Sequence, residues 1–184
     1  MIVLLRFIGV MNAAVWFGAA IFFTFATAPV LFTPETKRLV GEAQAGIVAQ
    51  MVLTRYFALQ YWCGSIALIH QLAEWVYLGK TLQKVTIGIL LGTFALALIG
   101  GLWLQPKLQK LHQTRYGYVK TAQGYAKKET SATQQAQAGK AFAAWHGVSM
   151  VINVLVLGGL ALFLWRVANP TDGPRFVPAN KFRS

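Results

Sequence analysis

Apolar residues in this chain gather into four long blocks separated by polar stretches, without the short periodic runs of a soluble domain. The blocks predict four helices that cross a membrane, at about residues 2–28, 55–79, 85–104 and 146–167. Each reaches or exceeds the ~20 residues needed to cross a bilayer's hydrocarbon core, and a helix pairs its own backbone polar groups where lipid offers no partners. The connection Gly79-Lys80-Thr81-Leu82-Gln83-Lys84 is too short for anything but a tight turn, so the second and third helices form a hairpin. The expected fold is an all-α integral membrane protein. Its core is an antiparallel four-helix transmembrane bundle, with an amphipathic segment before helix 2 and a long polar, partly helical loop before helix 4. Residues 1–168 make one domain, and 169–184, with Pro170, Pro174 and Pro178 among Arg175, Lys181 and Arg183, make an extended basic tail.

The punctuation supports these limits. Pro29 and Pro34 end the first block, because proline lacks a backbone donor and clashes with the preceding turn; Thr33 then reads as an N-cap with Pro34 at the first helical position. Segment 35–54 mixes Leu39, Val40, Ile47, Val48 and Met51 with Lys37, Arg38, Glu42 and Gln50, the pattern of an interfacial helix bending into helix 2 near Gly41 or Gly46. After helix 3, Leu104, Leu108 and Leu111 keep helical spacing past Pro106, while Gly117, Gly124 and the polar run 130–137 suggest a break. Small residues mark helix contacts: Gly88 and Gly92 in a Gly-x-x-x-Gly spacing, Gly100, Gly101, Gly158 and Gly159. Met1–Ala28 resembles a signal peptide, but its apolar run is too long, and it is read as a retained first span.

The second block differs from the rest. It carries Cys63, His70 and Glu74 inside its apolar run, and spacings of seven and four residues return all three to one helix face, at about 100° per residue. Gln60 and Ala67 fall near the same stripe. Ionisable groups are costly inside a membrane and mark a site or a buried pair. Counting ~1.5 Å per residue places Arg6 level with Glu74, and Asn12 level with His70, which predicts an Arg6–Glu74 ion pair and an Asn12–His70 contact. With Asn153 of helix 4 these residues form the expected intramembrane polar cluster: Arg6, Asn12, Cys63, His70, Glu74 and Asn153. Satisfaction of buried polar groups by packing stands ahead of any functional reading. His70, His112 and His146 are the candidate metal ligands. His70 and His146 lie near opposite ends of the bundle, which disfavours one haem between them, and Glu129 is the only acid in the loop holding His112. No nucleophile motif, phosphate loop or paired metal motif is present, no catalytic residue is assigned, and no cofactor is specified.

Composition changes the picture little. Mean hydropathy is +0.50, and 12% of residues are charged, about half the usual soluble share. The net charge of +12 would suggest nucleic acid in a soluble protein; here the cations lie between and beyond the apolar blocks, where anionic lipid headgroups are the natural partners. Ten of the 17 Lys and Arg fall on the face opposite the termini, so the positive-inside rule places that face in the cytoplasm and the termini outside. A bacterial cytoplasmic (inner) membrane is the expected location. A single Cys forms no internal disulfide.

Trp16, Gly18, Phe22, Phe25 and Ala28-Pro29-Val30-Leu31-Phe32, then Gln105-Pro106-Lys107 and Trp145-His146-Gly147-Val148-Ser149 with Asn153, resemble a membrane family of unknown function that includes bacterial relatives of the eukaryotic transmembrane protein 205. The resemblance implies a four-helix membrane protein and adds weight to His146; the eukaryotic member has been connected with resistance to platinum compounds. Four-helix blocks of copper-resistance D-type and HemJ-type proteins are similar in architecture alone. Three readings follow. The first is a non-catalytic membrane protein handling a metal ion, proton or small solute through its polar interior. The second is an accessory subunit of a larger membrane complex or a homo-oligomer. The third, and weakest, is a haem- or metal-dependent membrane enzyme.

Overall fold

The computed structural model describes residues 2–78 and 83–169. The chain forms α1 (Ile2–Phe22), a π-helical turn (Phe23–Thr27), α2 (Ala28–Leu31), α3 (Pro34–Val40) and α4 (Glu42–Leu78). It continues with α5 (Lys84–Leu98), a second π-helical turn (Ile99–Leu104), α6 (Gln105–Tyr116), an antiparallel hairpin of β1 (Tyr118–Thr121) and β2 (Gly124–Lys127), and α7 (Ala132–Ala168). The described residues are therefore almost wholly helical. Three continuous helical stretches are long and apolar enough to cross a membrane: Val3–Leu31, Lys84–Tyr116 and Ala132–Ala168. The expected fourth, within α4, does not join them, because Gln60, His70, Gln71 and Glu74 dilute its apolar run.

Four long helices pack in a ring, α1 on α4, α4 on α5, α5 on α7 and α7 on α1. Their contacts run in opposite sequence order at each seam. Leu5, Asn12 and Trp16 of α1 meet His70, Cys63 and Gln60 of α4. Gly100 and Gly101 lie against Phe57, and Gly64 against Phe94. Thr93 meets Gly159, Trp103 meets Trp145, and Thr24 bonds Asn153. The core holds Ala13, Trp16, Ala20, Cys63, Ala67, Leu90, Val156, Leu160 and Phe163. Trp16 presents its ring edge-on to Phe94 and Phe163 at 6.4 and 6.3 Å.

Pro29, expected to end the first span, lies inside continuous helix, as does Pro106, past which the leucine spacing already predicts helix. Pro29 and Pro106 each follow a π-helical turn that closes two residues earlier, at Thr27 and Leu104. A proline leaves the carbonyl four residues back without its donor. In these two places the wider turn ahead of it re-routes the ladder and the helix runs on.

The segment before helix 2 also departs from expectation. α3 starts as read, with Thr33 Oγ1 accepting from the Thr36 N–H at 3.2 Å and Pro34 in the first turn. It stops at Gly41, whose φ of +86° suits glycine, and α4 then runs unbroken through Gly46. At 37 residues each, α4 and α7 measure ~55 Å, far beyond the ~30 Å of a hydrocarbon core. The surplus of both lies at one end. There the first third of α4, α3, α6, the hairpin and the first third of α7 build a polar head standing ~18 Å above the Trp103–Trp145 pair, by the twelve residues of α6. The loop expected before helix 4 is thus ordered structure. α7 begins at Ala132 because Ser131 and Gln134 form a reciprocal capping box. The turn at 79–82 and the tail at 170–184 lie outside the described residues.

The glycines divide. Gly100, Gly101 and Gly159 sit where a Cβ would strike Phe57, Tyr61 or Thr93. Gly88, Gly92 and Gly158, expected at internal contacts, are exposed with nothing within 4 Å, because α5 turns Thr86, Leu90, Thr93 and Ala97 inward instead, and α7 turns Val156, Leu160 and Phe163.

Candidate functional site

One face of α4 carries Tyr56, Gln60, Cys63, Ala67, His70 and Glu74, at steps of three and four residues, over a length of ~27 Å. Gln60, Cys63, Ala67 and His70 are buried, and Glu74 is partly buried. Opposite them stand Leu5, Gly9, Asn12 and Trp16 of α1 and Phe23 of the first π-helical turn. The seam between α1 and α4 buries the Gln60 and His70 side chains.

Its contacts are specific. His70 Nε2 lies 2.8 Å from the Leu5 carbonyl; a carbonyl only accepts, so this nitrogen carries the proton. The imidazole fills the space over Gly9, leaving no room there for a side chain. Asn12 Nδ2 donates to the Cys63 carbonyl at 2.9 Å. The Trp16 indole N–H donates to Gln60 Oε1, and Phe23 stacks on Tyr56 at 4.3 Å. The Tyr56 and Tyr61 hydroxyls are buried without a hydrogen-bond partner among the described residues. An unpaired hydroxyl in an apolar interior costs ~1–3 kcal/mol.

Asn12, Cys63 and His70 therefore share one seam, though Asn12 and His70 each bond a backbone carbonyl and not one another. Arg6 donates to the Ala168 carbonyl at 3.4 Å, and the ion pair between described residues joins Lys37 and Glu42, at 3.9 Å. Asn153 lies on the other side of α1, donating to Thr24 Oγ1 at 2.9 Å. Pairing each polar group with a carbonyl is a detail that residue spacing does not carry. Gln60 fell on the sequence stripe, but its indole partner did not.

The other two histidines belong to the head and its base. His112 is buried, with Nδ1 2.6 Å from the Tyr118 hydroxyl and its ring filling the space over Gly46. Tyr116 and Phe142 flank it at 4.6 and 5.8 Å, and the Tyr116 hydroxyl donates to Glu42 at 3.1 Å. The apolar part of its helix ends at Leu104, so His112 sits in the polar extension. Burial, aided by the nearby Arg115 guanidinium, pulls its pKa down to about 4. Burial likewise lifts the Tyr118 hydroxyl to about 12, against the pull of the adjacent Gln50 amide. His146 is exposed and stacks on Phe142 at 5.8 Å. Below it Lys107 Nζ stands 3.4 Å over the Trp145 ring and 5.0 Å from Trp103, a cation held between two indoles.

His70 lies thirteen residues below Phe57, the level of Gly101, and so ~20 Å from the His112–His146 end. Among the described residues no three His, Cys, Asp or Glu side chains converge on a point where an ion would sit. What the seam offers is hydrogen-bonding groups at intervals between two helices.

No curated protein and no solved structure matches the chain. A family model does, over residues 11–117, which covers α1 from Met11, all of α4 and α5, and α6 to its glycine cap. That match takes in the polar seam from Asn12 and Trp16 of α1 across to α4, and more than half of the chain. The chain belongs to the family described as domain of unknown function (DUF4149).

Proposed function

We propose that this chain is a non-catalytic integral membrane protein that passes or holds a proton, metal ion or small polar solute along the α1–α4 seam. The observation that carries this reading is the file of polar groups on one face of α4, Tyr56 to Glu74, nearly as long as a hydrocarbon core is thick. A polar file of that length is costly to insert, and among the long helices of the described residues it lies in the one whose hydropathy falls short of a span. On this reading α4 is the fourth spanning helix and the bundle is antiparallel, a reading supported by the reversed contact order at its seams. The head, rich in Lys and Arg, faces the cytoplasm of a bacterial inner membrane, with the termini outside. Kinship with the bacterial relatives of transmembrane protein 205 belongs to the same proposal.

The test is flux and tolerance. In proteoliposomes and in cells, His70→Ala and Glu74→Gln should each change proton or metal-ion uptake at normal protein abundance. Wild-type behaviour of both variants would remove the seam from function.

A second reading, an accessory subunit or oligomer, is supported by the open faces at Gly88, Gly92 and Gly158, where a neighbouring helix could approach closely. It requires co-purification with other membrane proteins, or a defined oligomer, in mild detergent. A discrete monomer would count against it.

A further inference from the structure

Gln50 Oε1 and the hydroxyls of Tyr56 and Tyr61 are buried without a hydrogen-bond partner among the described residues. All three belong to residues 50–61 of α4, and Phe57 stands in their midst. Such groups are costly and rare in native interiors, so three on one stretch of one helix point to a shared use.

The polar face of α4 changes sides in this stretch. From Glu74 to Tyr56 it looks toward α1. Nearer the head the same stripe continues as Val52, Ala49 and Ala45, with both alanines buried, so the file ends at the Tyr56 hydroxyl. Polar groups resume about 110° round the helix, on the side of α5 and α6. The Tyr61 hydroxyl lies against Gly101. Gln105 Nε2 donates to Thr54 Oγ1 at 3.0 Å and reaches the Gln50 carbonyl at 3.5 Å. Farther from the head, this second stripe is itself apolar, with Gly64 against Phe94 and then Leu68. Each stripe is polar where the other is not. The second opens outward, because Thr54 is exposed, beside Gln105 and just past the apolar part of that helix.

Phe57 separates the two. Its ring lies 5.5 Å from that of Tyr56 and 6.3 Å from that of Tyr61, and it covers Gly100 and Gly101 of the second π-helical turn. An apolar ring between two hydroxyls interrupts a hydrogen-bonded file, the way a hydrophobic constriction closes a pore. The groups on either side favour one cargo. A hydroxyl both accepts and donates, and so relays a proton, whereas a metal ion needs several donors at one point and a helix face offers them ~6 Å apart. We propose, on the seam reading above, that Phe57 is the gate of a proton path, closing the Tyr56 end of the α1–α4 seam from an exit formed by Tyr61, Gln105, Thr54 and Gln50 at the base of the head.

The experiment follows proton entry into proteoliposomes of the full-length protein under an imposed pH gradient. Phe57→Ala is expected to raise the rate by about tenfold or more, with Phe57→Leu close to wild type. Adding His70→Ala to Phe57→Ala is expected to return the rate to that of protein-free vesicles. Tyr61→Phe removes only an unpaired hydroxyl, which leaves the fold intact, and is expected to slow wild-type entry severalfold. A Phe57→Ala rate equal to wild type overturns the gate, and so does a leak that survives His70→Ala. An unchanged rate in Tyr61→Phe overturns it too, and that variant decides alone should Phe57→Ala not fold. In each of these cases the seam itself stands if His70→Ala slows the wild-type protein. Wild-type vesicles no faster than protein-free ones remove the proton path and its gate together, and His70-dependent metal-ion uptake in such vesicles would leave the seam a different cargo.

Discussion

At the residue scale, glycines opposite rings fix the packing. The His70 imidazole fills the space over Gly9 and the His112 imidazole that over Gly46, whereas Gly18 has nothing within 4 Å. Gly9→Ala and Gly46→Ala should each lower stability by about 1–3 kcal/mol through overpacking, while Gly18→Ala should be nearly neutral; thermal melting in one detergent compares all three. His112 also sets a pH dependence. Its folded pKa, about 4, lies below the ordinary value of 6.5, so between those values the unfolded chain binds more protons than the folded one. The stability contributed by neutral His112 is complete above about pH 6.5 and is lost as pH falls toward 4. Melting temperatures over pH 4–7 should rise with pH, and His112→Gln should flatten that slope.

At the element scale, the chain's own signals read unevenly. Thr33 and Pro34 announced α3 and the structure starts it there. Ser131 and Gln134 carried an equally good start signal, hidden in a polar run that resembles a loop, and α7 begins fourteen residues before the apolar block at His146. Ser131→Ala should cost about 1 kcal/mol, within the range measured for lost caps, seen as faster amide exchange in the first turns of α7. Pro29 misled in the other direction, since a proline's cost is local and a wider turn ahead of it can absorb that cost. The polar stripe of α4 was legible because helical geometry alone returns Cys63, His70 and Glu74 to one face. Their partners were not legible, because Asn12 and His70 bond backbone carbonyls, which every residue possesses. The hairpin had no period-two pattern long enough to find; its four-residue strands are held by Gly117, the hairpin ladder and the Tyr118–His112 bond.

At the scale of the whole molecule, the bundle is two-ended. One end bears the ~18 Å head, and the hairpin tip near Gln123 is among its exposed parts. At physiological ionic strength the Debye length is about 8 Å, so cations at the top of the head are largely screened from lipid charge, and those near Arg55 and Lys107 are the ones a headgroup would feel. The native Cys63 is 3% exposed, so a cysteine introduced at Gln123 can be read by itself. In intact cells Gln123→Cys should resist a membrane-impermeant maleimide and react only after lysis. Labelling in intact cells would place the head outside and reverse the assigned orientation.

The π-helical turn at Ile99–Leu104 also sets a phase. Such a turn amounts to an α-helix with one residue inserted, so everything after it is rotated by about 100° relative to an uninterrupted helix. Deleting the exposed Leu102 would remove that offset and swing α6 about its axis. His112 would leave Gly46, and Lys107 would leave the two indoles, with no side chain in either site altered. The chain should thus tolerate substitutions at the exposed Ile99 and Leu102 far better than any change in the length of the turn.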